Sequence, residues 1–134
     1  MLTQGHSFDE VLDWLRTDKS RFIRAMVPIS KVNDFRGIHG ESFLHYCAIE
    51  GWSKEVECLL ALGADPNVRS RFESTPLMDA ALVGHEEIVK LLIRAGAQID
   101  ARNRAGETAL DGLLLMNLYP NIRLLLAGDC GAID

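Results

Sequence analysis

Ser42, Thr75 and Thr108 stand 33 residues apart, as do Gly51, Gly84 and Asn117, and again Leu59, Leu92 and Leu125. Several position types keep one period, which marks a supersecondary unit copied along the chain. One such unit cannot bury its apolar face alone, so the copies must stack.

Each position in the middle copy has a physical task. The Thr75 hydroxyl suits a helix cap, and Pro76 after it suits the first helical position, where a missing N–H costs nothing. Leu77, Ala80 and Ala81 form a narrow apolar stripe whose alanines permit close helix approach. Gly84 suits a left-handed stop. A second helix is expected over about residues 86 to 94. Glu86 and Glu87 lie at its positive end, Lys90 and Arg94 lie toward its negative end, and Glu86 with Lys90 forms a favourable i,i+4 pair. Ile88, Val89, Leu91, Leu92 and Ile93 are its burying residues, and Gly96 closes it.

Helix, tight turn, helix and projecting turn every 33 residues resembles the ankyrin repeat. The run Thr75-Pro76-Leu77-Met78 through Gly96-Ala97-Gln98-Ile99-Asp100 is similar to that family's pattern over a full unit. Leu44-His45 and Gly63-Ala64-Asp65-Pro66-Asn67 are similar to it in the copy before, and the resemblance covers about residues 35 to 126. It implies an all-α solenoid of stacked helix-turn-helix units, about three recognisable repeats with a degenerate N-terminal helical cap. The expected organisation is one domain over 1–134: capping helices in 1–34, repeats in 35–69 and 70–102, and a C-terminal capping repeat in 103–134. Residues 7 to 31 read as two short helices, with Phe8, Val11, Leu12, Trp14 and Leu15 on one side of the first and Phe22, Ile23 and Met26 on one side of the second. The last copy departs from the pattern: Asp111 replaces the histidine, Leu113 and Leu114 replace the alanines, Asn117 replaces glycine, and Pro120 opens the second helix. Gly128-Asp129-Cys130-Gly131 shifts the period and suggests that the stack stops there.

A net charge of −5 argues against nucleic acid and against an anionic membrane surface as partner. No apolar run approaches the ~18 residues of a membrane span, and the opening residues carry no secretory pattern. Cys47, Cys58 and Cys130 are too few and scattered for a disulfide framework, so a reducing, cytoplasmic setting is expected.

Little in the sequence points to chemistry. His85-Glu86-Glu87-Ile88-Val89 opens like a zinc-protease motif but has valine at the second histidine position, which leaves His85 as a turn residue. Cys47, Cys58 and His45 lack metal-site spacing; a small buried thiol and a helix-start hydrogen bond are expected instead. The glycines sit at turns, the acidic residues scatter over helix surfaces, and no nucleophile is paired with a base. No catalytic residue, cofactor or metal is expected.

The resemblance implies that projecting turns and first helices line a concave binding face. The positions its pattern leaves free are Ile38, His39 and Glu41 at the first turn, Arg71, Phe72 and Ser74 at the second, and Arg104, Ala105 and Glu107 at the third. On the first helices they are Ile49-Glu50, Leu82-Val83 and Leu115-Met116. Phe72 and Arg71 rank first, since aromatic and arginine anchors dominate interfaces. Trp52 either covers a core edge or awaits a partner. Arg36, Arg69 and Arg102 form a ladder at 33-residue spacing, repeated by Arg71 and Arg104; it is either solvated turn chemistry or a steering surface for an acidic patch. The run from Leu113 to Met116, with Leu118 and Tyr119, either closes the core or forms a dimer patch.

The expected function is therefore a non-enzymatic protein, monomeric when free, that binds and neutralises one protein partner. Phe43-Leu44-His45-Tyr46-Cys47-Ala48-Ile49-Glu50-Gly51 resembles short bacterial ankyrin proteins, some of which are immunity proteins against toxins. The alternative is an adaptor or regulatory subunit of a larger complex.

Overall fold

The computed structural model describes residues 6–25, 31–34, 36–116 and 119–127; the side chains of Leu115 and Met116 lie outside this description. Among the described residues there are nine helices: α1 (Phe8–Thr17), α2 (Lys19–Ala25), α3 (Lys31–Asp34), α4 (Phe43–Glu50), α5 (Ser53–Ala61), α6 (Pro76–Val83), α7 (Glu86–Arg94), α8 (Ala109–Met116) and α9 (Pro120–Leu126). The described chain contains no strand.

The repeated starts work through caps. Ser42 and Thr75 accept hydrogen bonds from the backbone N–H three residues on, at 3.3 Å each, and Thr108 does so for Asp111 at 3.1 Å. The third residue answers in kind. His45 Nδ1 accepts from Ser42 N at 3.1 Å, and a carboxylate oxygen of Asp111 accepts from Thr108 N at 3.0 Å. Asp111 thus does the cap work of the histidine it replaces. These bonds hold its carboxyl below the usual aspartate range.

Helices α4, α6 and α8 pack side by side as an inner row, each with its partner α5, α7 or α9 behind it. The seam between the rows is apolar. Leu44, Cys47, Val56, Leu59, Leu77, Ala80, Ile88, Leu92, Leu113 and Leu125 are all buried. Fully burying the valine, leucine and isoleucine side chains among them is worth about 1.5–3 kcal/mol each against an extended reference chain. The expected α7 is observed, including a Lys90–Glu86 ion pair at 3.3 Å.

Gly51 and Gly84 end α4 and α6 at φ 81° and 92°, in the left-handed region. Both also leave room for an aromatic ring of the following unit. A Cβ on Gly51 would lie 2.7 Å from His85, and one on Gly84 would lie 2.5 Å from Tyr119. His85 Nε2 donates to the Ile49 carbonyl at 3.0 Å, and the Tyr119 hydroxyl to the Val83 carbonyl at 3.1 Å. His85 is thus a turn residue that also ties one helix pair to the next.

The N-terminal helices close the first pair with aromatic rings. Phe8 stacks on Phe43 at 4.8 Å, and Phe22 meets the same ring edge-on at 5.3 Å. The two expected helices are α1 and α2, and a short α3 follows at the edge of that span. One expectation needs correction: Ile23, placed on the same side as Phe22, is 41% exposed. Successive helical residues turn through about 100°, so with Phe22 seated in the core its neighbour faces outward. Met26, Asn117 and the tail from Gly128 lie outside the described residues.

Candidate protein-binding face

Two kinds of surface follow from this arrangement. Of the outer helices, α5 and α7 expose charge, with Lys54 and Glu57 on the first and Glu87 and Arg94 on the second, while α9 exposes Leu124. The turn tips and the ends of the inner helices expose large apolar side chains instead. Ile38 is 85% exposed, Leu82 54% and Phe72 53%, with Ile49 and Val83 exposed beside them. Leu82 and Val83 therefore face solvent rather than packing between helices. Exposed apolar residues gathered on one side of a protein mark an interaction surface.

The tips are fastened to one another. Arg71 N donates to the His39 carbonyl at 3.1 Å, and Arg104 N donates to the Phe72 carbonyl at 3.0 Å. Arg36 donates to the carbonyls of Gly40 and Arg69 at 3.0 and 2.9 Å. Arg69 repeats the pattern on Glu73 and Arg102, and Arg102 donates to Gly106 at 2.7 Å and pairs with Asp111 at 3.7 Å. Arg36, Arg69 and Arg102 are thus bonded within the stack rather than merely solvated. Each guanidinium closes its own turn, and the first two also bind the next turn. Asn33 and Asn67 clamp the loops behind in the same way, to Gly63 and Asp65 and to Gly96 and Gln98. Asn67 belongs to the turn motif over residues 63–67, yet residue type does not show the clamping role of either asparagine. Their spacing of 34 was the only available signal.

The expected partner-contact residues divide accordingly. Ile38, His39, Ile49, Glu50, Phe72, Leu82 and Val83 are exposed, and the Arg71 guanidinium lies 5.7 Å over its neighbour Phe72. Others already have partners inside the molecule. Glu41 accepts from His39 N at 2.8 Å, Glu107 is linked to Asn103, and Arg104 reaches the Arg71 carbonyl at 2.7 Å. Trp52 is partly buried beneath the Arg16 guanidinium at 4.1 Å and packs beside Tyr46 against the core. Leu113 closes the core while Leu114 is half exposed; the side chain of Met116 lies outside the described residues.

The groups that invited a chemical reading are committed structurally. His45 is fully buried, and its Nε2 donates to the Ser74 carbonyl at 2.7 Å while Nδ1 accepts at the cap. Burial lowers its pKa to about 4, against the smaller raising effect of the Ser74 bond. Burial likewise pushes the Cys47 thiol far up, leaving a core side chain and no thiolate. No three metal-ligating side chains converge among the described residues.

One acidic residue departs from the expectation of a solvated helix surface. Asp79, on α6, sits at a cavity of about 110 Å³ between α6 and α8, together with Ser74, Leu82, Asn103, Glu107 and Gly112. Burial pushes its carboxyl pKa up to about 7. In repeat register its counterparts are Tyr46 and Gly112, so residue type gave no sign of it.

Comparison with known proteins follows the same lines. A family model described as ankyrin repeats (3 copies) matches residues 15–103 and 44–134. The chain is 30% identical over 96 residues to Ankyrin repeat domain-containing protein 63 of Mus musculus, covering 69% of this chain and 25% of that protein. It is 45% identical over 53 residues to Protein fem-1 homolog C of Xenopus laevis, covering 40% of this chain and 9% of that protein. To the probable E3 ubiquitin-protein ligase XBOS33 of Oryza sativa subsp. japonica it is 34% identical over 111 residues, covering 81% and 21%. The chain thus spans a quarter or less of these curated relatives.

Proposed function

The chain belongs to the ankyrin-repeat family, and from that premise we propose that it is a non-enzymatic binding protein that covers and blocks one protein partner. The observation that carries this reading is the set of exposed apolar residues at the turn tips and inner-helix ends, Ile38, Ile49, Phe72, Leu82 and Val83, while α5 and α7 expose charge. Fastened tips add to it, because a surface held rigid before binding loses less entropy on association. Its specific form is an immunity protein, cytoplasmic and monomeric when free, neutralising a toxic enzyme. The net charge of −5 suits a basic domain as that partner, steering it to the face before the apolar residues engage. The ligase activity in the rice relative's name stays with that longer protein.

The test is a tagged capture from the native host, wild type beside the double variant Arg71→Ala/Phe72→Ala. One stoichiometric partner is expected with wild type and its loss with the variant, while the melting temperature changes little because both side chains are exposed. A partner retained by the double variant contradicts the assigned face. Two partners on separate surfaces would instead identify an adaptor.

A further inference from the structure

The cavity between α6 and α8 combines features that local folding does not require. Gly112 occupies the middle of α8, where glycine costs about 0.5–1 kcal/mol relative to alanine. Its backbone needs no glycine, and a Cβ there would meet nothing within 4 Å. The missing side chain leaves space opposite Asp79. No hydrogen bond or ion pair from the described residues reaches the Asp79 carboxylate, and no bond or charge offsets its burial. No basic residue lines the cavity, and Arg102 is engaged by Gly106 and Asp111. Leu82 supplies an apolar wall, and Glu107 adds a second carboxylate at the rim. An uncompensated carboxylate in a partly dry groove favours one kind of visitor, a cation that donates hydrogen bonds.

We propose that this cavity receives an arginine or lysine side chain of the bound partner, with Asp79 taking the charge, Leu82 flanking the aliphatic stem and Gly112 keeping the space open. The inference rests on the binding reading above and names what that face recognises. A cationic head over a carboxylate, with its methylene stem on leucine, uses both halves of an amphipathic side chain. Glycine at 112 then gives up helix stability for access.

The experiment titrates ¹⁵N-labelled protein at pH 8 with the capped peptide Ala-Arg-Ala and with its citrulline counterpart, which keeps the shape and loses the charge. Saturable amide shifts at Asp79, Leu82 and Gly112 are expected from the arginine peptide, with affinity on the order of tenfold weaker for citrulline, as for loss of one charged hydrogen bond. Asp79→Asn should equalise the two peptides, and Gly112→Leu should weaken the arginine peptide. Should Gly112→Leu unfold, Gly112→Ala narrows the same space in a well-formed helix. Equal response to both peptides in wild type, or an arginine preference that survives Asp79→Asn, overturns the proposal. The host capture keeps the two readings apart. A partner lost with Arg71→Ala/Phe72→Ala but fully retained by Asp79→Asn leaves the binding face standing and removes this pocket.

Discussion

Leu92→Ala is expected to destabilise the fold by about 2–5 kcal/mol, the range for emptying a core leucine site. Leu92 is fully buried on α7, and its counterparts Leu59 and Leu125, 33 residues to either side, are buried to the same degree. Three buried leucines thus recur in register, one on each outer helix, and those helices pack in sequence, α5 on α7 and α7 on α9. Truncating the middle one removes apolar contact and leaves a void that rigid neighbouring helices cannot fill. The loss is coupled, because each unit of a solenoid is stable chiefly through its neighbours. Thermal and urea unfolding of Leu92→Ala beside Leu82→Ala gives the check. The exposed Leu82 should cost within about 0.5 kcal/mol. An unchanged melting curve for Leu92→Ala contradicts the register.

Asp79→Asn is expected to do the reverse, stabilising the protein at pH 8 and leaving it nearly unchanged at pH 4. The ordinary aspartate value is 3.8, and burial in the groove raises it to about 7. An acid with a raised folded value keeps its proton in the folded state while the unfolded chain has lost it. Stability therefore falls as pH climbs from about 4 to about 7, and the loss is complete above that window. The full linkage is about 4 kcal/mol, reduced to about 1–3 where water reaches the carboxylate at the groove mouth. His45 works in the opposite sense. Its folded value is lowered to about 4, so its contribution is lost as pH falls from 6.5. It is present in both proteins and cancels in the difference. Melting curves of the pair at pH 4, 6 and 8 should diverge steadily. A difference that is flat across this range would show that Asp79 is solvated.

A residue that weakens the fold, beside a glycine that weakens its helix, marks a place where recognition and stability pull apart. Neither was visible in the sequence. The 33-residue period locates helix starts, stops and the buried leucines because those depend on residue type at a fixed place: Thr75, Pro76, Gly84 and Leu92 act through their own backbones or their own volumes. Asp79 differs, since its environment is set by what position 112 lacks in the next unit. The arginine ladder shows the same limit. Its spacing was plain, but whether Arg69 turns to solvent or to the Arg102 carbonyl depends on how closely two tips approach. Trp52 was ambiguous because the guanidinium covering it comes from Arg16, far away in sequence and on a helix outside the repeat pattern. Helix α3 carries only four residues and no cap signal, too little for periodicity to register.

The central claim, that one face of this stack holds a protein partner, is tested most directly by site-specific photo-crosslinking in the native host. A photoreactive phenylalanine analogue is placed singly at Leu82 on α6 and at Glu87 on α7, both exposed and on opposite rows. Our account predicts one protein adduct from position 82 and none from 87. An adduct from 87 with none from 82 would contradict it.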